Sequence, residues 1–297
     1  MAKVHPAHVA AVHATLRRAR FEIIPMKGVE DQLEHLPTDA PVTVTASPTR
    51  GLDATIELAS TVAAAGHEVI PHLSARLFRD RAHVASVLDW VADLEIEELF
   101  VPAGDAAEAA GSYDGAADVL ADIRELGFTG RIGITGYPES HPFIDDETTI
   151  TAMAAKAPHA TTIISQICYD PAITTGWVRA VRERGVDLPI HIGLPGVVPF
   201  TKLVGISMRV GLGDSLHFLR KQHGVATRLL TGYRPDHIVE GLAPVVADPD
   251  ADVAGWHLFT FNAVAATAAW WRDLLAATAP PTTTAPTTTS NERTTNP

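Results

Sequence analysis

The chain is poor in cysteine, in positive charge and in long apolar runs. Cys168 is the one cysteine among 297 residues, which excludes an internal disulfide and a CxxC metal or redox site and fits a reducing compartment. Lys and Arg number 23 against 35 Asp and Glu, without a basic cluster, so nucleic acid and anionic membranes are poor partners. No apolar run approaches the roughly 20 residues that span a bilayer. We therefore expect a soluble cytoplasmic protein.

The two ends of the chain differ from the part between them. In the N-terminal stretch MAKVHPAHVAAVHATLRRARF, histidines interrupt the apolar residues and arginines follow them, which is the wrong order for a signal peptide. A first helix near Pro6 to Arg18 is predicted to cap the fold. From Ala279 to Pro297 the chain has no aromatic residue and no aliphatic one larger than Ala, so it cannot offset its ordering entropy. The prediction is one domain over 1–278 and a disordered tail over 279–297.

Between these ends, short β-branched runs alternate with Ala/Leu-rich segments, which is typical of βα units and a parallel sheet. A long span from Phe200 to Val246 should hold two or three helices before the last strand. The other predicted helices are Leu52–Ala65, Ala82–Asp93, Ala116–Leu126, Gly176–Arg184 and Ala263–Ala277. The predicted strands are Phe21–Pro25, Val42–Ala46, Glu68–Leu73, Leu99–Ala103, Ile132–Thr135, Thr162–Gln166, Ile190–Leu194 and His257–Phe261.

Eight strands favour a closed (β/α)8 barrel of the TIM type with an extra N-terminal helix. The alternative is an open doubly wound sheet, whose usual mark is a glycine-rich turn after the first strand. Here that turn reads PMKGVED, with one glycine. The later GLGDSLHFL lacks the third glycine of a dinucleotide fingerprint.

Polar residues at the carboxyl ends of barrel strands indicate an active site. Glu22 and Glu68 lie within strands, and the period of two places Glu68 and His72 on one face, where they could meet Glu22 in the barrel interior. The candidates at strand ends are Thr45, His72, Asp105, Tyr137, His141, Gln166 and Asn262.

Each candidate also has a purely structural interpretation. Thr45, Tyr137 and Asn262 could close loop hydrogen bonds, His72 could be a satisfied core histidine, and Glu68 could form an ion pair at the bottom face. The functional interpretation is stronger for Glu22, Asp105 and Gln166, because each interrupts or ends a markedly apolar strand.

Several other chemistries lack their sequence motifs. There is no GxSxG elbow, Walker A loop or HExxH helix. His72, Asp105, His141 and His191 lie near strand ends, but none of them shows the tight HxH or HxxxH spacing of metal ligands. A metal-dependent barrel hydrolase is an alternative that these residues leave open, but no metal site is predicted.

Eight blocks of the sequence resemble the methylenetetrahydrofolate reductase family, in order and in spacing, over nearly the whole predicted domain. The blocks here are FEIIP, VTVTASPTRG, VIPHLSAR, VPAGD, GYPESHP, IISQICYD, GLPGVVPFTKL and HLFTFN. The family's versions read approximately FEFFPP, VTYGANSG, APHLTC, LRGD, YPEVHPE, TQFFFD, PGILPVSNF and HFYTLN. The resemblance implies an α/β barrel that reduces 5,10-methylenetetrahydrofolate to 5-methyltetrahydrofolate with NAD(P)H, usually through bound FAD.

The resemblance also implies roles for the candidates. Glu22 matches the general acid that opens the folate ring to an iminium ion, and its burial should raise its pKa. Asp105 would bind the pterin and stabilise the iminium charge, and Gln166 would pair with the pterin's polar edge. Two further residues, Thr45 and Glu68, are predicted on the folate side. Three residues, His72, Tyr137 and His141, could line the nicotinamide pocket.

The sequence departs from the family where the family holds FAD. Ala103 replaces the arginine of LRGD, and an Arg-Lys pair is replaced by Ala154 and Ala155, which leaves the single cation Lys156. Three hypotheses follow: direct hydride transfer from NADH, or NADPH, without flavin; the same reaction through FAD held by other contacts; or a folate-binding or scaffold protein without turnover. The expected partners are the folate and the nicotinamide nucleotide.

Overall fold

The computed structural model describes residues 3–47, 49–139, 146–209 and 233–280. Within them, one sheet of eight parallel strands runs in the order β3-β2-β1-β8-β7-β6-β5-β4. The strands are β1 Arg20–Ile23, β2 Val42–Val44, β3 Val69–Pro71, β4 Glu98–Phe100, β5 Arg131–Gly136, β6 Thr162–Ser165, β7 Ile190–Pro195 and β8 Val253–Phe259.

The sheet closes into a barrel between β3 and β4. A parallel bridge joins His72 to Phe100, and the Leu73 amide donates to the Phe100 carbonyl at 2.8 Å. The predicted TIM-type barrel is thus confirmed, and every predicted strand overlaps an observed one.

Helices surround the barrel and connect its parallel strands. They are α1 Val9–Leu16, α2 Gly51–Ala64, α3 Arg81–Asp93, α4 Ala116–Glu125, α5 Asp146–Lys156, α6 Pro171–Glu183, α7 Phe200–Arg209, α8 Asp236–Val246 and α9 Val264–Thr278. The span from Phe200 to Val246 contains α7 and α8, with 210–232 outside the described residues. Helix α5 was not among the predicted helices. None of the described helices is long and apolar enough to cross a bilayer.

The predicted N-terminal helix consists of a 3-10 turn, Pro6–His8, followed by α1. Two buried indole groups attach α1 to the barrel: Trp256 on β8 donates to Thr15 Oγ1 at 3.0 Å, and Trp271 on α9 donates to the Leu16 carbonyl at 2.9 Å. The predicted tail lies outside the described residues from 281 onward.

The barrel interior is layered along its axis. A small apolar cluster of Ile70, Phe100 and Ile164 fills the middle, separate from the main core between the sheet and the helices. At the amino ends of the strands, the buried Glu98 forms ion pairs with Arg20 and Arg131, and its Oε2 accepts hydrogen bonds from Arg20 at 3.2 Å and from Arg131 at 2.9 Å. This ion-pair layer closes the bottom of the barrel, so a ligand has access from the carboxyl ends.

Candidate active site

Glu22 lies on β1 with its carboxyl group inside the barrel. The residue is 4% exposed, and its neighbours Phe21 and Ile23 are fully buried on the other face of the strand. Burial raises the pKa of Glu22 to about 7, because the carboxylate loses its hydration, while nearby His72 acts in the opposite direction. A carboxyl group held in this way is substantially protonated at neutral pH, as a general acid requires.

Two histidines contact the Glu22 carboxyl group from different strands. His257 Nε2, on β8, lies 2.8 Å from Glu22 Oε2, within hydrogen-bond distance. His72 Nε2, just beyond β3, lies 3.8 Å from the same oxygen. Burial lowers the pKa of both histidines to about 3, so both imidazoles are neutral near pH 7. The sequence predicted His72 here but missed His257.

The backbone around Glu22 is fixed by the end of β8. Thr260 Oγ1 donates to the Glu22 carbonyl. The Asn262 side chain accepts from the Ile24 amide at 2.8 Å and donates to the Ile24 carbonyl at 2.9 Å. Asn262 adopts a left-handed φ of 59°, which asparagine tolerates better than most residues. These contacts support the interpretation that Asn262 closes loop hydrogen bonds.

Asp105 lies in the loop after β4 and is exposed. Its loop passes close to the end of β3: Gly104 has φ of 96°, and a Cβ there would lie 2.9 Å from Ser74 Cβ. Arg76 holds the following turn, because its guanidinium donates to the carbonyls of Ala106 at 2.8 Å and Ala107 at 3.0 Å. Asp105 is thus at the mouth of the barrel, as predicted, but outside the buried cluster around Glu22.

Tyr137 and Lys156 lie near the end of β5, the strand next to β4. Burial raises the pKa of Tyr137, a hydrogen bond with Thr135 opposes the rise, and the charge of Asp105 adds to it. Lys156, at the end of α5, is 9% exposed, and its Nζ lies 3.5 Å from Thr135 Oγ1. Burial lowers the pKa of Lys156 to about 8.

The two predicted folate-side residues on β6 and β2 are placed at strand ends. The Gln166 side-chain oxygen accepts from the Ile167 amide at 2.9 Å, which fixes the orientation of its amide group. Thr45 follows β2, and its Oγ1 is buried without a hydrogen-bond partner among the described residues. Both positions agree with a ligand site at the carboxyl ends of the strands.

Glu68 lies outside this site: the structure supports its interpretation as an ion-pair residue at the bottom face and contradicts the predicted place on the folate side. It precedes β3, at the amino end of the barrel, where Glu68 Oε1 pairs with Arg131 NH2 at 3.0 Å and the side chain is 53% exposed. Alternation of side chains along the strand correctly predicted that Glu68 and His72 share one face. It gave no information on position along the barrel axis, where the length of β3 separates the two residues. Predicted His141 lies outside the described residues.

The missed residue His257 had a signal in the sequence. It is the only ionisable side chain in the run WHLF, which belongs to a strand of mostly buried residues. Such a position needs a partner inside the barrel. The partner could not be identified without knowing that β8 closes against β1, where Glu22 lies.

The fold and the site together define an α/β-barrel protein with a buried acid and two neutral histidines towards the carboxyl ends of its strands. The sequence model of the family described as Methylenetetrahydrofolate reductase matches residues 29–216, more than half of the chain. The chain belongs to the methylenetetrahydrofolate reductase family, which confirms the resemblance. The matched stretch begins after Glu22 and ends before His257, so the geometry of these two residues is independent of it.

Similar proteins include Methylenetetrahydrofolate reductase 2 of Saccharomyces cerevisiae, 31% identical over 109 residues, or 35% of this chain and 18% of the yeast protein. The chain thus matches less than a fifth of that relative's length. A Clostridium thermocellum protein that binds two copies of 5-methyl-5,6,7,8-tetrahydrofolic acid shares the fold, with TM-score 0.62, 11% identity, and coverage of 88% of this chain and 96% of the other. A putative phosphonomutase from Burkholderia cenocepacia gives TM-score 0.50, 12% identity and coverage of 86% and 90%.

Proposed function

We propose that this chain reduces 5,10-methylenetetrahydrofolate to 5-methyltetrahydrofolate by direct hydride transfer from NADH, or NADPH, without bound flavin. Family membership supports the reaction. The observation that carries the proposal is the Glu22 carboxyl group, buried beside His257 and His72 with its pKa raised to about 7. The folate bound by the structural neighbour from Clostridium thermocellum further supports a folate partner.

The first step is proton donation by Glu22. The bridging carbon of the substrate joins two nitrogens, and protonation of one of them lets its bond to the carbon break, which leaves an iminium ion on the other. Glu22 becomes a carboxylate close to that cation, in an interior where water does not screen their attraction. Neutral His72 and His257 do not repel the cation. Asp105 at the mouth adds a second negative charge on the folate side.

The second step is hydride transfer to the iminium carbon. The nicotinamide ring gives up a hydride and becomes the oxidised cofactor, and the bridging carbon becomes the methyl group. The donor carbon must lie about 3 to 3.5 Å from the acceptor carbon, so both substrates occupy the mouth together. In this proposal, Thr45 and Gln166 bind the folate, and Tyr137 and His72 contact the nicotinamide. Water then returns a proton to Glu22.

The residues at the family's FAD positions support the flavin-free form. FAD carries a doubly anionic pyrophosphate, which calls for exposed cations. Ala154 and Ala155 are exposed but uncharged, and Ala103 carries no charge either. Lys156 is buried with its ammonium group directed at Thr135, and its pKa is lowered to about 8. These residues do not fit a flavin pyrophosphate, and no step of the mechanism uses one.

Initial-rate kinetics with both substrates varied test this proposal. Direct transfer requires a ternary complex, so double-reciprocal lines should intersect, added FAD should leave the rate unchanged, and the purified protein should lack a flavin absorption band. Parallel lines, or a rate that rises with FAD, would support the flavin-dependent reaction instead. Folate binding without any turnover would support the non-catalytic hypothesis.

A further inference from the structure

The cluster of Glu22, His72 and His257 has a second chemical property. One ligand atom from each residue, a carboxylate oxygen or an imidazole nitrogen, lies within 4.8 Å of the other two. All three residues are buried. They come from β1, from the end of β3 and from β8, so the rigid barrel holds them around a common point.

One of these atoms lacks a partner. His72 Nε2 is buried and has no hydrogen bond among the described residues, although it points at Glu22 Oε2 from 3.8 Å. A buried nitrogen without a partner costs free energy, which a ligand between the two side chains would recover. The second imidazole, from His257, faces the same oxygen at 2.8 Å.

We propose that Glu22, His72 and His257 bind one divalent transition-metal ion of the zinc type. Two imidazoles and one carboxylate are a known three-ligand set for zinc, which leaves a fourth position for water. Zinc-to-ligand distances of about 2.0 to 2.2 Å in a tetrahedron place ligand atoms about 3.3 to 3.6 Å apart. From Glu22 Oε2, the observed separations of 2.8 Å to His257 Nε2 and 3.8 Å to His72 Nε2 bracket that value, so modest side-chain shifts bring these atoms to the spacing of zinc ligands.

The ligand types determine which ions bind. Imidazole nitrogen suits zinc, cobalt, nickel and copper, whereas magnesium and calcium prefer oxygen ligands. His257 Nδ1 is buried without a hydrogen-bond partner among the described residues, so this ligand lacks the support that strong zinc sites give their histidines. The site is therefore reversible and is emptied by a chelator.

Metal binding should inhibit the reductase. This inhibition rests on the proposed function, whereas metal binding rests only on the geometry of the three side chains. When the ion binds, the Glu22 proton leaves to solvent and the carboxylate coordinates the metal. Glu22 then has no proton to give to the folate. Free zinc would thus switch the enzyme off by removing the proton that Glu22 donates.

Cobalt absorption spectroscopy of the full chain tests the binding. One equivalent of Co²⁺ should give the intense visible bands of tetrahedral coordination, Zn²⁺ should remove them, and Mg²⁺ should not. The exposed His5 and the half-buried His8 can also hold cobalt, in the weakly absorbing hydrated form. Only the intense bands therefore report the buried site.

Three variants locate the site. His72→Asn and His257→Asn should each weaken cobalt binding by more than the ~10- to 100-fold that loss of a ligand's hydrogen-bond partner costs. His191→Asn, which alters another buried barrel histidine outside the cluster, should keep the bands. Circular dichroism checks that each variant folds. A zinc-induced rise in the melting temperature of the parent gives a measure that needs no variant.

The outcomes separate this proposal from the proposed function. No intense bands and no thermal shift in the parent, or bands that persist in both cluster variants, would overturn the metal site. Bands in a protein without reductase activity would leave the metal site standing and contradict the function. Reductase activity that tightly bound zinc does not reduce would refute the inhibition.

Discussion

At the residue scale, the carboxyl group of Glu22 combines burial with two neutral imidazoles, and its environment makes it an acid suited to neutral pH. Glu22→Gln keeps the shape of the side chain and removes the ionisable proton. We expect the reduction rate to fall by ~10²- to 10⁴-fold while folate binding changes little, because loss of a general acid acts mainly on the chemical step. Steady-state kinetics and a folate binding titration measure both effects.

Glu68→Gln is the matched control, since the same substitution at the amino end of the barrel alters only a half-exposed ion pair with Arg131. It should retain nearly full activity. If Glu22→Gln stayed within a few-fold of the parent, or if both variants lost activity equally, Glu22 would not be the acid.

The protonation of Glu22 also predicts how the rate depends on pH. The pKa of Glu22 is about 7, so the active protonated form decreases as the pH rises through neutrality. His72 and His257, with pKa values of about 3, stay neutral throughout this range and contribute no opposing limb. We expect single-turnover rates to decline as the pH rises through about 7. This decline should be absent in Glu22→Gln. A rate that increases with pH would indicate a catalytic base.

At the scale of elements, the loop between β4 and α4 carries Asp105 and depends on Arg76. The guanidinium group makes hydrogen bonds to the carbonyls of Ala106 and Ala107, and a longer one of 3.4 Å to that of Asp114. Arg76→Met removes these bonds and keeps much of the apolar length. We expect a loss of about 1 to 2 kcal/mol of stability and a KM for folate raised several-fold. Denaturant unfolding and steady-state kinetics measure the two effects.

Arg81→Met serves as the comparison, because Arg81 pairs with Asp122 and Glu125 through a half-exposed side chain. Exposed ion pairs contribute little to stability, so Arg81→Met should leave stability and the KM for folate close to those of the parent. A KM for folate that rises equally in both variants would mean that Arg76 does not position the Asp105 loop.

The elements show what the sequence could and could not predict. The eight strands are recognisable because both faces of a barrel strand are buried and their runs are β-branched, as in Ile132–Thr135. Helix α5 has little amphipathic pattern and was missed. Glu22 stood out as an acid in an apolar strand. The contact of Glu22 with His257 depends on the pairing of β1 with β8, and the distance of Glu68 from Glu22 depends on their positions along the barrel axis. Neither can be deduced from a local sequence pattern.

At the scale of the whole molecule, burying Glu22 makes stability depend on pH. The folded state holds a proton on Glu22 up to about pH 7, whereas the unfolded chain releases it near 4.5, the ordinary pKa of a glutamate side chain. The folded state thus binds more protons between these values, and stability is lost as the pH rises through this window. The shift corresponds to about 3 kcal/mol at 1.36 kcal/mol per pKa unit.

Glu22→Gln has no ionisable group at this position and does not lose stability in this way. The free energy of unfolding of the variant minus that of the parent should therefore increase by up to about 3 kcal/mol as the pH rises from about 4.5 to about 8. Urea unfolding of both proteins across this range measures the difference. His72 and His257 lower stability in acid in both proteins and cancel from the comparison. A difference independent of pH would mean that the Glu22 pKa is close to that of an exposed glutamate.

In the proposed reaction, hydride passes directly from the nicotinamide to the folate, without a bound flavin. A single turnover with NADH that carries deuterium at the transferred position tests it most directly, with the isotope content of the product methyl group measured by mass spectrometry. Direct transfer predicts one deuterium in the methyl group of every product molecule. A flavin relay would exchange the hydrogen on the reduced flavin with water. A product methyl group that has lost deuterium to solvent would therefore rule out direct transfer.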